Sequence, residues 1–352
     1  MSATAAGGEE SPPLGFRSMR TLARGPGSVI ELVYRREGTF RRMYAVKRLA
    51  GALRREPAAR ARFLREARLL GALRHPNVVA VLDVGEDDEG PFLRTDYAFG
   101  VSLGELSARL ASRGIRCPPQ LALRIGVAVG HALWATHELE DQHGEPLGLV
   151  HRDLRPANVQ IGFEGVVRLL GFGVVQSLAD EAPATSLTPN PYRAPEQRRQ
   201  DVVDGRADLF ALGVLLHELL AGGLPDPERP LGGRVRCSEE VLRLVDELLA
   251  PDPRDRPASA AAVTRRLELE VRELVLQEGP LDLRGFLEET LGDVITRRRR
   301  ELSTLWDAFD GDVSPAPPAR VGTGPNTGRY WRLAAAMALA AILLGVALAR
   351  LT

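Results

Sequence analysis

Residues 149–162 read LVHRDLRPANVQIG, and they combine an acidic residue, Asp153, with an amide residue, Asn158, five positions later. A carboxylate in a short loop can accept the proton of an attacking hydroxyl group. An Asn side chain nearby can lend its amide oxygen to a metal ion. The stretch therefore predicts a catalytic loop, with Asp153 as the proton acceptor and Asn158 as a metal ligand.

The run that follows this loop, from 159 to 170, reads VQIG-FEG-VVRLL. Two short apolar segments on either side of a Gly-containing turn are typical of a β-hairpin. Such a hairpin returns the chain to the catalytic loop and places Gly171, the first residue of a Gly-Phe-Gly sequence, beside it. Because glycine has no side-chain oxygen, this position offers no carboxylate to a metal ion.

These motifs resemble those of the protein kinase family, and in particular those of bacterial serine/threonine kinases. The loop matches the pattern His-Arg-Asp-Leu-x-x-x-Asn in full at 151–158, with Arg155 where the family usually has Lys. The resemblance identifies Ala-Pro-Glu at 194–196 as the end of the activation segment and pairs the Glu of that motif with Arg256. It also assigns Asp208 to the residue that holds the catalytic loop in place.

The resemblance continues in order upstream of the loop. YAVKRL places Lys47 at the strand position that contacts phosphates in the family, FLREARLL places Glu66 at the helix position that pairs with this Lys, and RHPNVV follows at 74–79. The family fold that this implies is α+β and two-lobed, with a β-rich N-lobe and a helical C-lobe over residues 16–265. Residues 1–15 precede it as a predicted disordered lead.

The resemblance also implies which residues form the site. It assigns catalysis to Asp153, Arg155 and Asn158, and metal binding to Asn158. In this family a Gly-rich loop, a Lys–Glu pair and Mg²⁺ position the phosphates of ATP and neutralise their charge. The residues that would bind ATP here are Ala23, Gly25, Gly27, Ser28, Ile30, Ala45, Lys47, Glu66 and Thr95.

The phosphate loop departs from the family pattern. It reads LARGPGSVI at 22–30, with Ala23 at the first glycine position and Ser28 at the third. Pro26 has no backbone N–H and restricts the loop. One possible hydrogen-bond donor to the phosphates is therefore missing.

The metal site departs from the pattern at Gly171, where the family has the Asp that binds the bridging Mg²⁺. This leaves Asn158 and water as ligands, so Mg²⁺ binding is in doubt. Loss of the metal ligand is expected to cost several kcal/mol of transition-state stabilisation. A site that is one ligand short should gain metal dependence and phosphotransfer from the substitution Gly171→Asp.

The identity of residue 47 as a lysine indicates that the pocket still binds a ligand. Lys47 is the only lysine among 46 basic residues, and Arg is a poor replacement for Lys at a compact phosphate site. A lone Lys at this position indicates that the pocket still binds a phosphorylated molecule. Ancestry without function is the alternative explanation of the same residue.

Three functions fit these residues. The first is a pseudokinase that binds nucleotide and signals through an unknown protein partner. The second is an active serine/threonine kinase that transfers the γ-phosphate of ATP to a protein substrate. The third is a non-enzymatic membrane scaffold. Gly171 favours the first over the second, and the set of Lys47, Glu66, Asp153 and Asn158 favours the first over the third. The chain has 46 basic and 46 acidic residues and a formal net charge of zero, so no nucleic-acid partner is expected.

The residues after 265 divide into three predicted segments. Residues 266–310 form an additional helical segment, in which the four arginines at 297–300 either touch anionic lipid or cover a solvated helix face. Residues 311–329 are rich in Pro, Gly and small polar residues and are predicted to be a linker. Residues 330–352 are predicted to be a transmembrane anchor.

The anchor prediction depends on an uncharged apolar run of 17 residues, 333–349. A helix of this length spans roughly 25 Å, at the short end for a bilayer. Tyr330 and Trp331 stand where an aromatic belt would lie, and arginines before the run favour a cytoplasmic kinase-like domain. The alternative is a buried C-terminal helix, and the flexible linker before it argues against that.

The anchor leads to a fractionation test. A chain ending before Tyr330 should remain in the supernatant after high-speed sedimentation, whereas the full chain should require detergent, because only the full chain carries the apolar run. The measurement is the fraction of each protein in the pellet. A full chain that stays in the supernatant without detergent would contradict the anchor.

Overall fold

The structure, a computed structural model, describes residues 16–25, 27–37, 40–172, 190–226, 231–232 and 235–310. The predicted lead at 1–15, the linker at 311–329 and the anchor at 330–352 lie outside these residues. Among the helices of the described part, none combines the length and the hydropathy needed to span a bilayer.

The N-terminal part of the chain forms an antiparallel sheet of five strands, in the order β1-β2-β3-β5-β4. Side chains alternate between the two faces of a strand. In β3, Tyr44 and Val46 therefore pack on one face in a small apolar cluster with Val33 and Phe92, and Lys47 points to the other face. The strands are β1 (Arg17–Arg24), β2 (Ser28–Glu37), β3 (Phe40–Leu49), β4 (Val81–Asp87) and β5 (Gly90–Asp96).

A single long helix, α1 (Pro57–Ala72), accompanies this sheet. Pro57 stands at the start of the helix, where its missing N–H costs nothing. The buried residues Ala59, Phe63, Ala67 and Leu70 recur every three or four positions, so one face of the helix packs on the core. The sequence at 56–73, with apolar residues spaced among arginines, predicts an amphipathic helix, and the structure confirms it.

The C-terminal part is mainly helical. Its most buried helix is α5 (Arg206–Ala221), which is buried on nearly all sides, as the apolar sequence at 208–222 predicts. A small sheet of order β6-β7-β8 lies in the same part. The helices are α2 (Leu103–Arg113), α3 (Pro119–His137), α4 (Pro195–Arg199), α5 (Arg206–Ala221), α6 (Glu239–Leu248), α7 (Ala260–Glu278) and α8 (Leu283–Asp310), and the strands are β6 (Gly100–Ser102), β7 (Val159–Gly162) and β8 (Val167–Leu169).

Residues 77–79 join the two parts through backbone hydrogen bonds to β8. The Val79 N–H donates to the Leu169 carbonyl at 3.1 Å, and the Leu169 N–H donates to the Asn77 carbonyl at 2.7 Å. The Asn77 side chain adds a hydrogen bond to the Val167 carbonyl at 2.8 Å. The apolar run at 78–84 predicts a strand over that whole range. Because these bonds hold residues 77–79 on β8, β4 begins only at residue 81.

The predicted two-lobed α+β fold is thus confirmed for the described residues, as is the hairpin after the catalytic loop, in which β7 and β8 pair antiparallel. One core, which includes residues of α1, α2, α3, α5, α6 and α7, connects the lobes. From Glu301 on, the described residues belong to a second unit, which consists of the last turns of α8.

A buried ion pair holds two distant segments of the C-lobe together. Arg256 Nη1 lies 2.6 Å from Glu196 Oε1 and Arg256 Nη2 lies 2.9 Å from Glu196 Oε2, and the side chains are 0% and 4% exposed. Arg256 also donates to the carbonyls of Ala250 and Arg206. This bidentate geometry satisfies both charges inside the core.

Replacement of Arg256 by Met should lower the free energy of unfolding by about 3–5 kcal/mol, because the Glu196 carboxylate would remain buried without its partner. Chemical denaturation of the full chain measures this change. The matched control is Arg254→Met, which removes an 85% exposed side chain paired with Asp252 and should leave the midpoint unchanged. Equal midpoints for the two variants would contradict the prediction.

Candidate active site

The backbone of the catalytic loop is held by the buried carboxylate of Asp208. Its Oδ2 accepts from the His151 N–H at 2.8 Å and its Oδ1 from the Arg152 N–H at 2.8 Å. The His137 ring nitrogen Nε2 lies 2.9 Å from Oδ2. Burial alone would raise the pKa of Asp208, but the hydrogen bond with His137, the nearby imidazoles and the His151 N–H hold this pKa below its usual value. Asp208 therefore stays ionised and fixes the loop.

The same contacts stabilise an unusual backbone conformation at Arg152, whose φ of 63° lies in the left-handed region. Its carbonyl accepts a hydrogen bond from the Gln197 side chain at 3.1 Å. The loop is thus bound on one side by Asp208 and on the other by α4. This conformation sets the direction in which the next residue, Asp153, leaves the loop.

His151 connects the loop to the residues that follow β8. Its Nε2 lies 2.9 Å from the Leu170 carbonyl, and its ring packs on Phe172 with 4.6 Å between the ring centroids. Burial lowers the pKa of His151. The neutral ring therefore donates to the carbonyl and holds 170–172 beside the catalytic loop.

The three predicted catalytic residues meet at the carboxylate of Asp153. Asn158 Nδ2 donates to the Asp153 carbonyl at 2.7 Å and to Asp153 Oδ2 at 2.9 Å. Arg155 Nε lies 3.4 Å from the same carboxylate oxygen. The amide of Asn158 is therefore committed to Asp153, and Arg155 adds a positive charge beside it.

A cavity of about 560 Å³ lies between the lobes next to this loop. Most predicted site residues line it, namely Ala23, Ile30, Ala45, Lys47, Thr95, Arg155, Asn158 and Gly171. Asp153, Gly25, Gly27, Ser28 and Glu66 are not among the described residues that line it. The structure thus brings most of the predicted residues to one cavity, while their roles stay predictions.

Lys47 is one of the basic residues that line this cavity. Its Nζ donates to the Phe172 carbonyl at 3.4 Å. Burial lowers the pKa of Lys47, although the carboxylates of Asp153 and Glu66 act in the opposite direction. A buried ammonium group of this kind would be stabilised by an anionic ligand, since the ligand replaces the lost solvation.

Glu66 has a different hydrogen-bond partner from the one that the resemblance implies. Its Oε1 accepts from Arg62 Nε at 3.1 Å, one turn earlier on α1. Within the ion pairs of the described residues, Glu66 pairs with Arg62. Lys47 takes part in none of those ion pairs. Glu66 therefore acts on Lys47 through space, as a charge at a distance.

The phosphate loop satisfies part of its own backbone. The Gly25 N–H donates to the Ser28 carbonyl at 2.8 Å, and the Gly27 carbonyl accepts from the Ala50 N–H at 3.0 Å. The Gly25 N–H is therefore engaged within the loop, in addition to the donor that Pro26 lacks. Fewer donors remain for phosphate oxygens than in the family pattern.

The backbone at Gly171 has a φ of 74°, in the region that favours glycine. A Cβ at this position would lie 2.6 Å from Asn158 Oδ1 and 2.7 Å from Asn158 Cγ. The side chain of Asn158 thus occupies the space into which a residue at 171 would extend. Among the described residues there is no group of three or more His, Cys, Asp or Glu side chains that could hold a metal ion.

Sequence reasoning missed three contributors to the cavity. The Phe172 carbonyl contacts Lys47 through a backbone atom, which no side-chain motif reveals. Glu105 is part of a Ser-x-x-Glu capping box at the start of α2, a pattern that signals a helix start and not a binding site. Arg298 reaches the cavity from α8, far along the chain, and no motif announces it.

The comparisons with known proteins agree with this geometry. The family model described as "Protein kinase domain" matches residues 16–267. Among curated proteins, the tyrosine-protein kinase MasK of Myxococcus xanthus is 30% identical over 312 residues, 82% of this chain and 48% of that one. The serine/threonine-protein kinase PknB of Mycobacterium leprae is 31% identical over 261 residues, 67% of this chain and 40% of that one.

A similar relative is the probable serine/threonine-protein kinase SCO3848 of Streptomyces coelicolor, with 34% identity over 72% of this chain and 39% of that one. The chain spans less than half the length of these curated relatives. Among solved structures, the kinase domain of PknI from Mycobacterium tuberculosis matches with a TM-score of 0.57 and 27% identity, over 73% of this chain and 96% of that one. The chain therefore belongs to the protein kinase family and is related to bacterial serine/threonine kinases.

Proposed function

We propose that the chain is a nucleotide-binding pseudokinase, tethered to a membrane by its C-terminal apolar run, that transfers phosphate weakly or not at all. The observation that carries this proposal is the packing at Gly171. The position lacks a carboxylate, its backbone is left-handed, and the Asn158 side chain takes the adjoining space. The site is therefore reorganised around the absent ligand, and one added carboxylate would not complete it.

Membership of the protein kinase family implies ATP binding, and the cavity fits a nucleotide. Its volume of about 560 Å³ is within the range of about 300–1,000 Å³ that is usual for ligand pockets. Apolar side chains such as Ile30, Ala45 and Leu93 line it together with Lys47. The apolar walls would take the base, and the buried ammonium of Lys47 would bind the phosphates.

The donor set does not fit the bridging Mg²⁺ of the family. Mg²⁺ prefers carboxylate oxygens in a near-octahedral arrangement, and Gly171 supplies none. Asn158 is hydrogen-bonded to Asp153 through its amide nitrogen, which leaves one amide oxygen. Phosphotransfer in this family depends on charge neutralisation at that position, so its rate should be low.

The predicted base is also constrained. The Asp153 carboxylate accepts from Asn158 and has Arg155 beside it. Both contacts fix the direction in which the carboxylate points. The loop therefore keeps the shape of a catalytic loop, and the expectation of slow transfer rests on the missing carboxylate at Gly171.

An active kinase is the second candidate function. It is favoured by the meeting of Lys47, Arg155 and Asn158 at one cavity and by relatives whose names are those of kinases. Since one of these is named a tyrosine-protein kinase, the acceptor residue belongs in the test. A membrane scaffold without nucleotide, the third candidate, would show no ATP binding at all.

The decisive experiment measures transfer of radiolabelled γ-phosphate by the full chain to itself and to a generic basic protein, with Asp153→Asn as the blank. We expect wild-type transfer close to the blank, because the metal ligand is missing. Analysis of labelled Ser, Thr and Tyr would identify the acceptor of any transfer. Strong wild-type transfer that Asp153→Asn abolishes would overturn the pseudokinase proposal.

The same assay applied to Gly171→Asp tests the packing argument. The sequence alone predicted a gain of transfer, but the structure changes this expectation, because the new side chain would displace Asn158, the other predicted ligand. We now expect no restoration, together with a loss of stability. A strong gain of transfer would show that the site is only one ligand short.

Gly222→Ala is the matched control for stability, since Gly222 has a φ of 75° and nothing within 4 Å of the position of a Cβ. Gly171→Ala and Gly222→Ala should each lower the free energy of unfolding by roughly 1–2 kcal/mol, the cost of a left-handed backbone for a residue with a Cβ. Only Gly171→Ala meets Asn158, so its loss should be larger. Equal losses in denaturation would contradict the steric part of the argument.

Lys47→Ala should weaken ATP binding by about 1.5–3 kcal/mol, the usual contribution of a hydrogen bond to a charged group. Wild-type binding should also weaken as pH rises through the lowered pKa of Lys47, since only the ammonium form attracts phosphates, and the variant should lack this pH dependence. Titration calorimetry measures both. Arg42→Ala, an exposed cation on the same strand, is the charge-matched control. Equal binding by wild type and Lys47→Ala would identify Lys47 as a remnant of ancestry.

A further inference from the structure

Among the described residues that line the cavity, one lies outside the family match. Residues 16–267 match the kinase domain, whereas Arg298 belongs to α8 and lines the cavity together with Glu105 of α2. The part of α8 concerned, residues 283–300, lies in the same unit as the kinase domain. We call it the docked segment.

The docked segment is held by a specific polar contact at the rim of the cavity. Arg298 Nη2 donates to Glu105 Oε1 at 2.7 Å, and Arg298 Nη1 lies 3.4 Å from Glu105 Oε2. Arg298 Nη1 also donates to the Gly100 carbonyl of β6. The guanidinium group thus ties the edge of β6 to the first turn of α2.

Glu105 depends on this contact for charge compensation. Its Oε2 accepts from the Ser102 N–H at 2.8 Å and from the Ser102 hydroxyl at 3.0 Å. Burial alone would raise the pKa of Glu105, but Ser102 and Arg298 hold it below its usual value. Glu105 is therefore a carboxylate that faces the cavity with Arg298 as its cationic partner.

Further contacts seat the docked segment on the C-lobe. Arg109 of α2 forms an ion pair with Asp293. The Arg299 guanidinium lies 5.4 Å from the centre of the Phe163 ring. Three apolar residues of the segment are buried in the main core, namely Leu287, Leu291 and Ile295. At Leu291 the helix bends, with a φ of −124° and a ψ of 15°. The part beyond this bend carries Arg298 to the cavity.

Arg298 affects ligand binding through the balance of charges that line the cavity. Of the lining residues that the structure describes, four are cationic (Arg20, Lys47, Arg155 and Arg298) and two are anionic (Asp96 and Glu105). Loss of Arg298 would remove a cation and leave Glu105 facing the cavity without its partner. An uncompensated carboxylate repels a polyanion.

We infer that the docked segment is part of the nucleotide site and that Arg298 is a positioning residue, which compensates Glu105 so that the cavity accepts a nucleoside polyphosphate. The inference rests on the proposed nucleotide binding. Coupling between two binding events is reciprocal, so ATP must also stabilise the docking of residues 283–300. Through the docked segment, the chain beyond the kinase domain can therefore control ligand binding.

The test measures binding of ATP, ADP and adenosine to the full chain by titration calorimetry. Arg298→Ala should weaken ATP binding about fivefold or more, within the usual range of coupling free energies. Adenosine binding should weaken much less, because adenosine has no phosphates for the Glu105 carboxylate to repel. Arg298→Lys should keep part of the affinity through its charge. Arg297→Ala, which removes the same charge from the neighbouring exposed position outside the cavity lining, should bind ATP as wild type does.

Two additional measurements separate the electrostatic role from a loss of folding. Adding Glu105→Gln to Arg298→Ala should restore ATP binding, because the uncompensated carboxylate is gone, whereas a merely structural defect would persist. Hydrogen exchange of residues 283–300 should slow when ATP binds. ATP affinity unchanged by Arg298→Ala, or an equal loss for adenosine, would overturn the inference. Absence of ATP binding in the wild type would instead remove the proposed function, and the inference with it.

Discussion

The buried carboxylate of Asp208 is the interaction on which the site depends. It binds the backbone of His151 and Arg152 and the ring of His137, and so it joins the start of α5 and the end of α3 to the catalytic loop. With the loop fixed, His151 holds the Leu170 carbonyl and brings Gly171 against Asn158. A single ionised group in the core thereby places the catalytic loop and the metal-ligand position relative to each other. Its burial is tolerated only because every one of these donors is present.

Much of the fold could be predicted from the sequence, because the motifs that carry it are local. The Asp–Asn loop, the hairpin after it and the apolar helix α5 are encoded by short stretches whose patterns have few alternative structures. The predicted start of β4 was three residues too early, since Asn77 and Val79 pair with β8. Tertiary pairing decided that boundary, and no local pattern contains it.

The sequence predicted which residues form the site better than it predicted which of their side chains contact each other. Lys47, Ala45, Thr95 and Asn158 do line one cavity. The partner of Glu66 and the packing of Asn158 against Gly171 were not predictable, because they depend on distances between side chains that sequence spacing does not set. Arg298 lies 193 positions after Glu105. An ion pair across such a separation is visible only once the chain has folded.

The hydrogen bond from Lys47 to the Phe172 carbonyl has a consequence for how the cavity would respond to its contents. The ammonium group has three N–H donors, so an anionic ligand can bind beside this carbonyl, and the ligand and the carbonyl then share one nitrogen atom. The carbonyl belongs to the residue directly after Gly171, on the same short run that His151 holds. Occupancy of the cavity would thus reach the backbone through one nitrogen atom that contacts both the ligand and the peptide. A protein can report an occupied pocket in this way without performing a reaction.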